Sequence, residues 1–155
     1  MATDPTSAPQ EAPLVVLSAT ATPPWLEALP GAFARLWERA PWVPPDDRFA
    51  VELATTEIAA NIVRHSPAPE AVEVRAALDV DGARVRVTLA DTAPAAAVDL
   101  DRPMPGTDAE SGRGVALARS CLDVLEHLTG DGGGNVWVLE RRTGRRPDEH
   151  GPADG

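Results

Sequence analysis

The sequence predicts an α+β domain: an antiparallel or mixed sheet with helices packed on one face. Three observations predict it. Two alternating apolar stretches flank the turn dipeptide Asp81-Gly82 and read as a β-hairpin. Two longer stretches, one from Pro23 and one from Asp46, carry apolar residues at helical spacing. The helices are segregated between the strands, in the order β-α-α-β-β-loop-α-β, instead of alternating with them as a parallel sheet requires.

The totals fit one domain. The chain has 155 residues, 43% hydrophobic and 25% charged, enough for a real core. Its net charge is −10, and all 14 basic residues are arginine. That acidity argues against nucleic-acid binding, which needs a basic face, and favours a protein partner. The lone Cys121 excludes an intramolecular disulfide and a cysteine-cluster metal site. Met1 to Glu11 has neither the basic start nor the apolar run of a signal peptide. No stretch approaches the roughly 18 apolar residues of a membrane span. A cytoplasmic protein without membrane association is expected.

Residues 1–12 are rich in Ala, Pro, Thr and Asp and are expected to be disordered, as is the tail over 144–155. The folded domain is expected over 13–143. Leu14 to Ser18 is a short apolar run and reads as a strand. Pro23 and Pro24 suit a helix start, and Trp25, Leu29, Phe33, Leu36 and Trp37 follow at helical spacing. Pro30-Gly31 predicts a kink or break there. Pro41 to Pro45 is a connector. Asp46 or Asp47 caps the next helix, which runs to about His65 and stops before Pro67. Its apolar set is Phe49, Val51, Leu53, Ala54, Ile58, Ile62 and Val63, which predicts a core-facing helix. The hairpin strands follow, with Val72, Val74, Ala76 and Leu78 on one arm and Val85, Val87 and Leu89 on the other. Residues 92–110 form a long loop, and such loops in compact domains are commonly functional. Gly114 to about His127 reads as a helix, Asp131 to Gly134 as a turn, and Val136 to Glu140 as the last strand.

Three groups of residues carry chemistry. Glu57 and Asn61 lie one helical turn apart, on a stripe that includes Leu53. A carboxylate and a carboxamide on such a stripe need a partner, a cavity or a ligand. Together they suit a magnesium ion and a hydroxyl to be deprotonated, or else they belong to the helix's polar face. Asp91 ends an alternating strand and begins the long loop. There it accepts a hydrogen bond from an exocyclic amine such as that of adenine, or it starts an Asx-turn. Ser111-Gly112-Arg113-Gly114 opens a helix. Glycines there let backbone approach a phosphate, or they serve as a flexible helix entry with Ser111 as cap.

In this order, the three groups resemble the N box and the two glycine boxes of the GHKL (Bergerat) ATP-binding fold, shared by gyrase, histidine kinases and MutL. Glu57-Ile-Ala-Ala-Asn-Ile-Val-Arg-His65 is similar to the N box, and Ser111-Gly-Arg-Gly-Val-Ala-Leu117 to the second glycine box. The resemblance covers roughly residues 14 to 142. It implies a two-layer α/β sandwich. Size, and the absence of a dimerisation and phosphoacceptor helical domain, point to one branch: small serine-protein kinases that act as anti-sigma factors, and related regulatory ATPases.

By position, the resemblance implies that Glu57 takes the proton from a partner serine. It implies that Asn61 coordinates the magnesium bridging the phosphates and that Asp91 bonds the adenine amine. Gly112 and Gly114 fall beside the phosphates, with Arg113 between them available to neutralise charge. The loop over 92–110 matches the ATP lid. Asn135 stands where family members often carry a threonine near the adenine. The first glycine box departs from the family: it reads Asp91-Thr-Ala93-Pro-Ala95 where Asp-x-Gly-x-Gly is usual. If that backbone needs positive φ or a close adenine, alanine obstructs it, and either nucleotide affinity falls or the lid is set differently.

The expected cofactors are ATP and Mg2+. The expected partners are a sigma factor, a STAS-domain anti-anti-sigma factor phosphorylated on serine, and a second copy of the chain. The alternatives are a binding module that regulates through protein contacts alone, and a histidine-kinase catalytic domain acting in trans. Trp25, Phe33, Trp37 and Trp42 either pack the core or include an anchor at the dimer and sigma-binding face.

Overall fold

In the computed structural model, residues 12–95 and 110–143 are described. The expected disordered ends and the lid residues 96–109 lie outside them.

The first strand, β1, spans Val15–Thr20, slightly later than expected. Helix α1 follows over Pro23–Arg39, with proline in its first turn. It does not break at Pro30-Gly31. Both residues are exposed, so the lost amide faces water while Trp25, Leu29, Ala32, Phe33, Leu36 and Trp37 form an unbroken buried face. Phe33 and Trp37 stack with centroids 5.7 Å apart. These aromatics are therefore core residues, and Trp42 packs partly buried against the same core.

Helix α2 spans Pro45–His65. Neither Asp46 nor Asp47 caps it by a side-chain bond: the cap position is Pro44, and the two aspartates sit in the first turn, favourably placed against the helix dipole. The buried positions are Ala50, Val51, Ala54, Thr55, Ile58, Ala59 and Ile62. Phe49, expected on the core face, is 67% exposed, because it sits off the stripe that Val51, Ala54, Ile58 and Ile62 bury. Trp37 Nε1 donates to Glu52 Oε1 at 2.9 Å and ties α1 to α2. Arg48 donates to the carbonyls of Val43 and Pro41 in the connector, and its guanidinium lies 5.5 Å from the Trp37 ring centroid.

Strands β2 (Glu73–Asp81) and β3 (Arg84–Asp91) form the expected hairpin, paired from Val74↔Asp91 to Asp81↔Arg84. Its two-residue loop is Gly82-Ala83, one position later than the Asp81-Gly82 signal suggests. Gly82 takes φ +52 at the first loop position, where twist-matched hairpin turns call for glycine.

Helix α3 spans Glu110–Cys121, and strand β4 (Val124–Thr129) follows. This corrects the helix expected to reach His127. Leu117, Ala118, Leu122 and Leu125 fit a helical period, but the backbone turns into the sheet at Asp123, whose amide donates to Glu140 O. Val124 to Thr129 then alternates between faces as an edge strand. The last strand, β5, spans Asn135–Arg142.

The sheet order is β1-β2-β3-β5-β4, with every pairing antiparallel. Val74, Ala76, Leu78, Val85, Val87, Leu89, Trp137 and Leu139 point to one side and share a single core with the buried faces of α1 and α2 and with Ala118 of α3. Among the described residues, helices therefore cover one face only, the two-layer α+β architecture the sequence predicts.

Arg141 on β5 locks the layers together. Its Nε donates to Asp47 Oδ1 and its Nη1 to Cys121 O, both at 2.7 Å. One guanidinium thus engages the first turn of α2 and the last carbonyl of α3.

Candidate nucleotide site

The clamp fixes which way α2 runs. Its start lies beside Arg141 at the hairpin end of the sheet. Its end leads through residues 66–72 into β2, whose Val74 pairs with Asp91. From Asp47 to Asn61 the helix rises about 21 Å, and from Arg141 to Asn135 the strand covers about 20 Å. Glu57 and Asn61 therefore come to the Asp91 end of the sheet.

Both side chains are half-buried, and neither makes a hydrogen bond or ion pair among the described residues. A half-buried carboxylate and carboxamide left without partners are available to a ligand. Glu57 faces Gly114 of α3: a Cβ built on that glycine would stand 2.7 Å from Glu57 Oε2. Glu57 and Gly114, 57 positions apart, are thus in contact.

Asp91 is 8% exposed and lies directly across the ladder from Asn135, which is 5% exposed. Its Oδ1 accepts from Asn135 Nδ2 at 2.9 Å and from the amide of Ala93 at 3.0 Å. Its Oδ2 accepts no hydrogen bond among the described residues. Asn135 Nδ2 also lies 3.2 Å from Pro94 O and 3.4 Å from Ala93 O. His127 Nε2 sits 2.9 Å from Asn135 Oδ1.

This network accounts for the missing glycines. Among the described residues no non-glycine takes positive φ, so Ala93, Pro94 and Ala95 follow the turn in ordinary backbone conformations. The Asx bond from Asp91 and the Asn135 carboxamide hold the segment. Ala93 is 9% exposed and joins the core. The required glycine is elsewhere: a Cβ on Gly134 would collide with the Asp91 carbonyl and lie 3.3 Å from Thr92 Cα. Sequence reading takes Gly134 for a simple turn residue. It also misses His127, whose place in a Leu125-x-His127-x-Thr129 alternation is the only signal available.

Ser111, Gly112, Arg113 and Gly114 lie inside α3 and not ahead of it. Gly114 is buried against α2, and Arg113 is exposed. The side-chain surroundings of Ser111 and Gly112 lie outside the description. No group of three His, Cys, Asp or Glu side chains able to hold a metal occurs among the described residues. A metal here would take Asn61 together with oxygens of a bound phosphate and water, a donor set that suits magnesium.

A family model described as the histidine kinase-like ATPase domain matches residues 20–139. The histidine kinase domain of a blue-light activated histidine kinase from Erythrobacter litoralis EL346 is similar over 64% of this chain and 46% of that one, with 21% identity and a TM-score of 0.50. The present chain thus spans less than half that structure's length. The catalytic domain of histidine kinase ThkA, in a nucleotide-free form, matches over 61% of this chain and 70% of its own, with 14% identity and a TM-score of 0.44. No curated protein matches. With the family match running from the end of β1 into the middle of β5, and with the fold shared at low identity, this chain belongs to the histidine kinase-like ATPase domain (GHKL) family.

Proposed function

We propose that this chain is a cytoplasmic ATP-binding protein-serine kinase of the anti-sigma-factor type, which phosphorylates a STAS-domain anti-anti-sigma partner and sequesters a sigma factor. Family membership supports ATP binding. The observation that carries the kinase reading is the half-buried Glu57–Asn61 pair, whose side chains have no partner among the described residues, with Gly114 closed against Glu57.

Asp91 Oδ2 accepts the exocyclic amine of adenine while Oδ1 stays tied to Asn135 and Ala93. Asn61 holds the magnesium–phosphate end of the nucleotide. Glu57 accepts the proton of a partner serine as its oxygen bonds to the γ-phosphorus and the bond to the ADP oxygen breaks. Magnesium, when bound, supplies the positive charge that phosphoryl transfer requires. The rest is positioning, so few side chains suffice.

A second reading rests on Ala93-Pro94-Ala95. A chain that has set this turn with alanine and proline is also suited to hold its partner without turning over nucleotide. Incubation with γ-labelled ATP, magnesium and a purified STAS partner separates the two. Label on the partner's serine supports the kinase, and tight sigma-factor binding without any label transfer supports the binding module. A sigma-factor partner and a homodimer follow from the same reading, and co-purification with the sigma factor tests the first.

A further inference from the structure

Helix α2 carries a second row of side chains besides the one it buries. Val51, Ala54, Ile58 and Ile62 face the core. Phe49, Leu53, Thr56 and Ala60 follow one another at spacings of four, three and four, which sets them in a single row on the outer side. At about 100° per residue, Phe49 stands directly opposite Ile58. The exposures agree: Ile58 is fully buried and Phe49 is 67% exposed. Leu53 and Ala60 are half-buried, and Thr56 is exposed. On α3, Leu117 comes three positions after Gly114, on the side turned to α2, and is half-buried too. Among the described residues, neither Leu53 nor Leu117 belongs to the core cluster.

This row runs alongside the proposed catalytic pair. Leu53 lies one helical turn before Glu57, and Ala60 directly precedes Asn61. Phe49 is about 12 Å from Glu57 along the helix axis. A stable protein contact covers about 800 Å² on each partner, a patch about 16 Å in radius. A folded protein that brings a serine hydroxyl to Glu57 therefore also covers the outer side of α2 as far as Phe49. Charge closes the row at both ends. Asp46 precedes Phe49 and Arg64 follows Ala60, both exposed and neither in an ion pair among the described residues.

We propose that the outer row of α2 is the docking surface for the phosphoacceptor protein, with the Phe49 ring as its anchor. The inference rests on the kinase reading of Glu57 given above. The surface fits a partner that presents an apolar patch beside its serine, with an acidic group toward Arg64 and a basic group toward Asp46. An exposed aromatic ring in an apolar row is the kind of side chain on which binding energy concentrates. Phe49 touches neither nucleotide nor reacting atoms. It holds the partner while Glu57 takes the proton, so its loss is read in the KM for the partner and not in kcat or in nucleotide affinity.

The test uses the full chain with γ-labelled ATP, magnesium and a purified STAS-domain protein as the probe, and reads initial rates against the concentration of that protein. Phe49→Ser is expected to raise its KM at least about tenfold, with kcat and the calorimetric ATP affinity at wild-type values. Phe49→Leu is expected to recover most of the loss. Val16→Ser removes another exposed apolar side chain, 44% exposed, from the sheet face turned away from the helices, and is expected to leave the KM unchanged. A wild-type KM in Phe49→Ser overturns the inference, as does an equal rise in Val16→Ser, which would mark general surface stickiness. If the KM holds and Phe49→Ser instead splits a dimer in sedimentation, the row joins two copies of this chain and the inference falls. Wild-type protein that transfers no label overturns the kinase reading and this assignment together, whereas transfer by the wild type with an unaffected Phe49→Ser overturns this assignment alone.

Discussion

Glu57 and Gly114 meet across the α2–α3 contact so closely that a single methyl group on the glycine would stand 2.7 Å from the Glu57 carboxylate. The atom it would displace is the far end of a flexible side chain, not backbone. Gly114→Ala therefore moves Glu57 without disrupting the helices, and alanine in a helix interior is favoured over glycine by about 1 kcal/mol. Thermal stability is expected to hold or rise while phosphoryl transfer to the partner falls at least about tenfold, as misplacement of a reacting group implies. A Gly114→Ala protein with full transfer activity would separate this contact from function.

Gly134→Ala is expected to act in the opposite way. The added Cβ meets the backbone of Asp91 and Thr92, which cannot rotate aside. A loss of at least about 2 kcal/mol is expected in urea denaturation, from forced backbone displacement in a packed ladder. An unchanged midpoint would show that the start of β5 has room the structure does not give it.

Arg141→Ala removes the link between the first turn of α2 and the end of α3. The side chains of Arg141 and Asp47 are 29% and 17% exposed, so solvent screens the pair only partly. Loss of the charge-assisted bonds is expected to cost about 1–2 kcal/mol. Asp47→Ala is expected to cost less, because Arg141 keeps its bond to the Cys121 carbonyl. Equal losses from the two substitutions would show that the helix-end bond contributes nothing.

Asp91→Asn replaces an acceptor with a group that can present a donor to Asn135 Nδ2 and to the adenine amine. ATP affinity is expected to drop at least about tenfold in calorimetry. Retained affinity would move adenine recognition away from Asp91.

Much of this was legible in the sequence, and the reasons are local. The hairpin declares itself by alternation around a glycine, and α2 by a long helical period ending before Pro67. Glu57, Asn61, Asp91 and Gly114 fall at positions a recurrent motif order marks. Strand β4 was not legible, because Leu122 and Leu125 extend the helical spacing of α3 and only the ladder to β5 pulls the backbone out of it. The exposure of Phe49 was hidden for the same reason: an apolar residue counts toward a period whether or not it faces the core. The Asp91–Asn135 bond joins residues 44 positions apart. It exists only because β5 inserts between β3 and β4, a pairing that no local pattern encodes. The alanines of the first glycine box read as an obstruction until the fold supplies Asn135 and His127 to hold the turn.

The central claim, that Glu57, Asn61 and Asp91 form one magnesium-dependent nucleotide site, is tested most directly by calorimetric titration of ATP into the wild type and Asn61→Ala, each with and without magnesium. The account predicts binding by the wild type that depends on magnesium and is abolished by the substitution. Superimposable titrations of the two proteins in magnesium would contradict it.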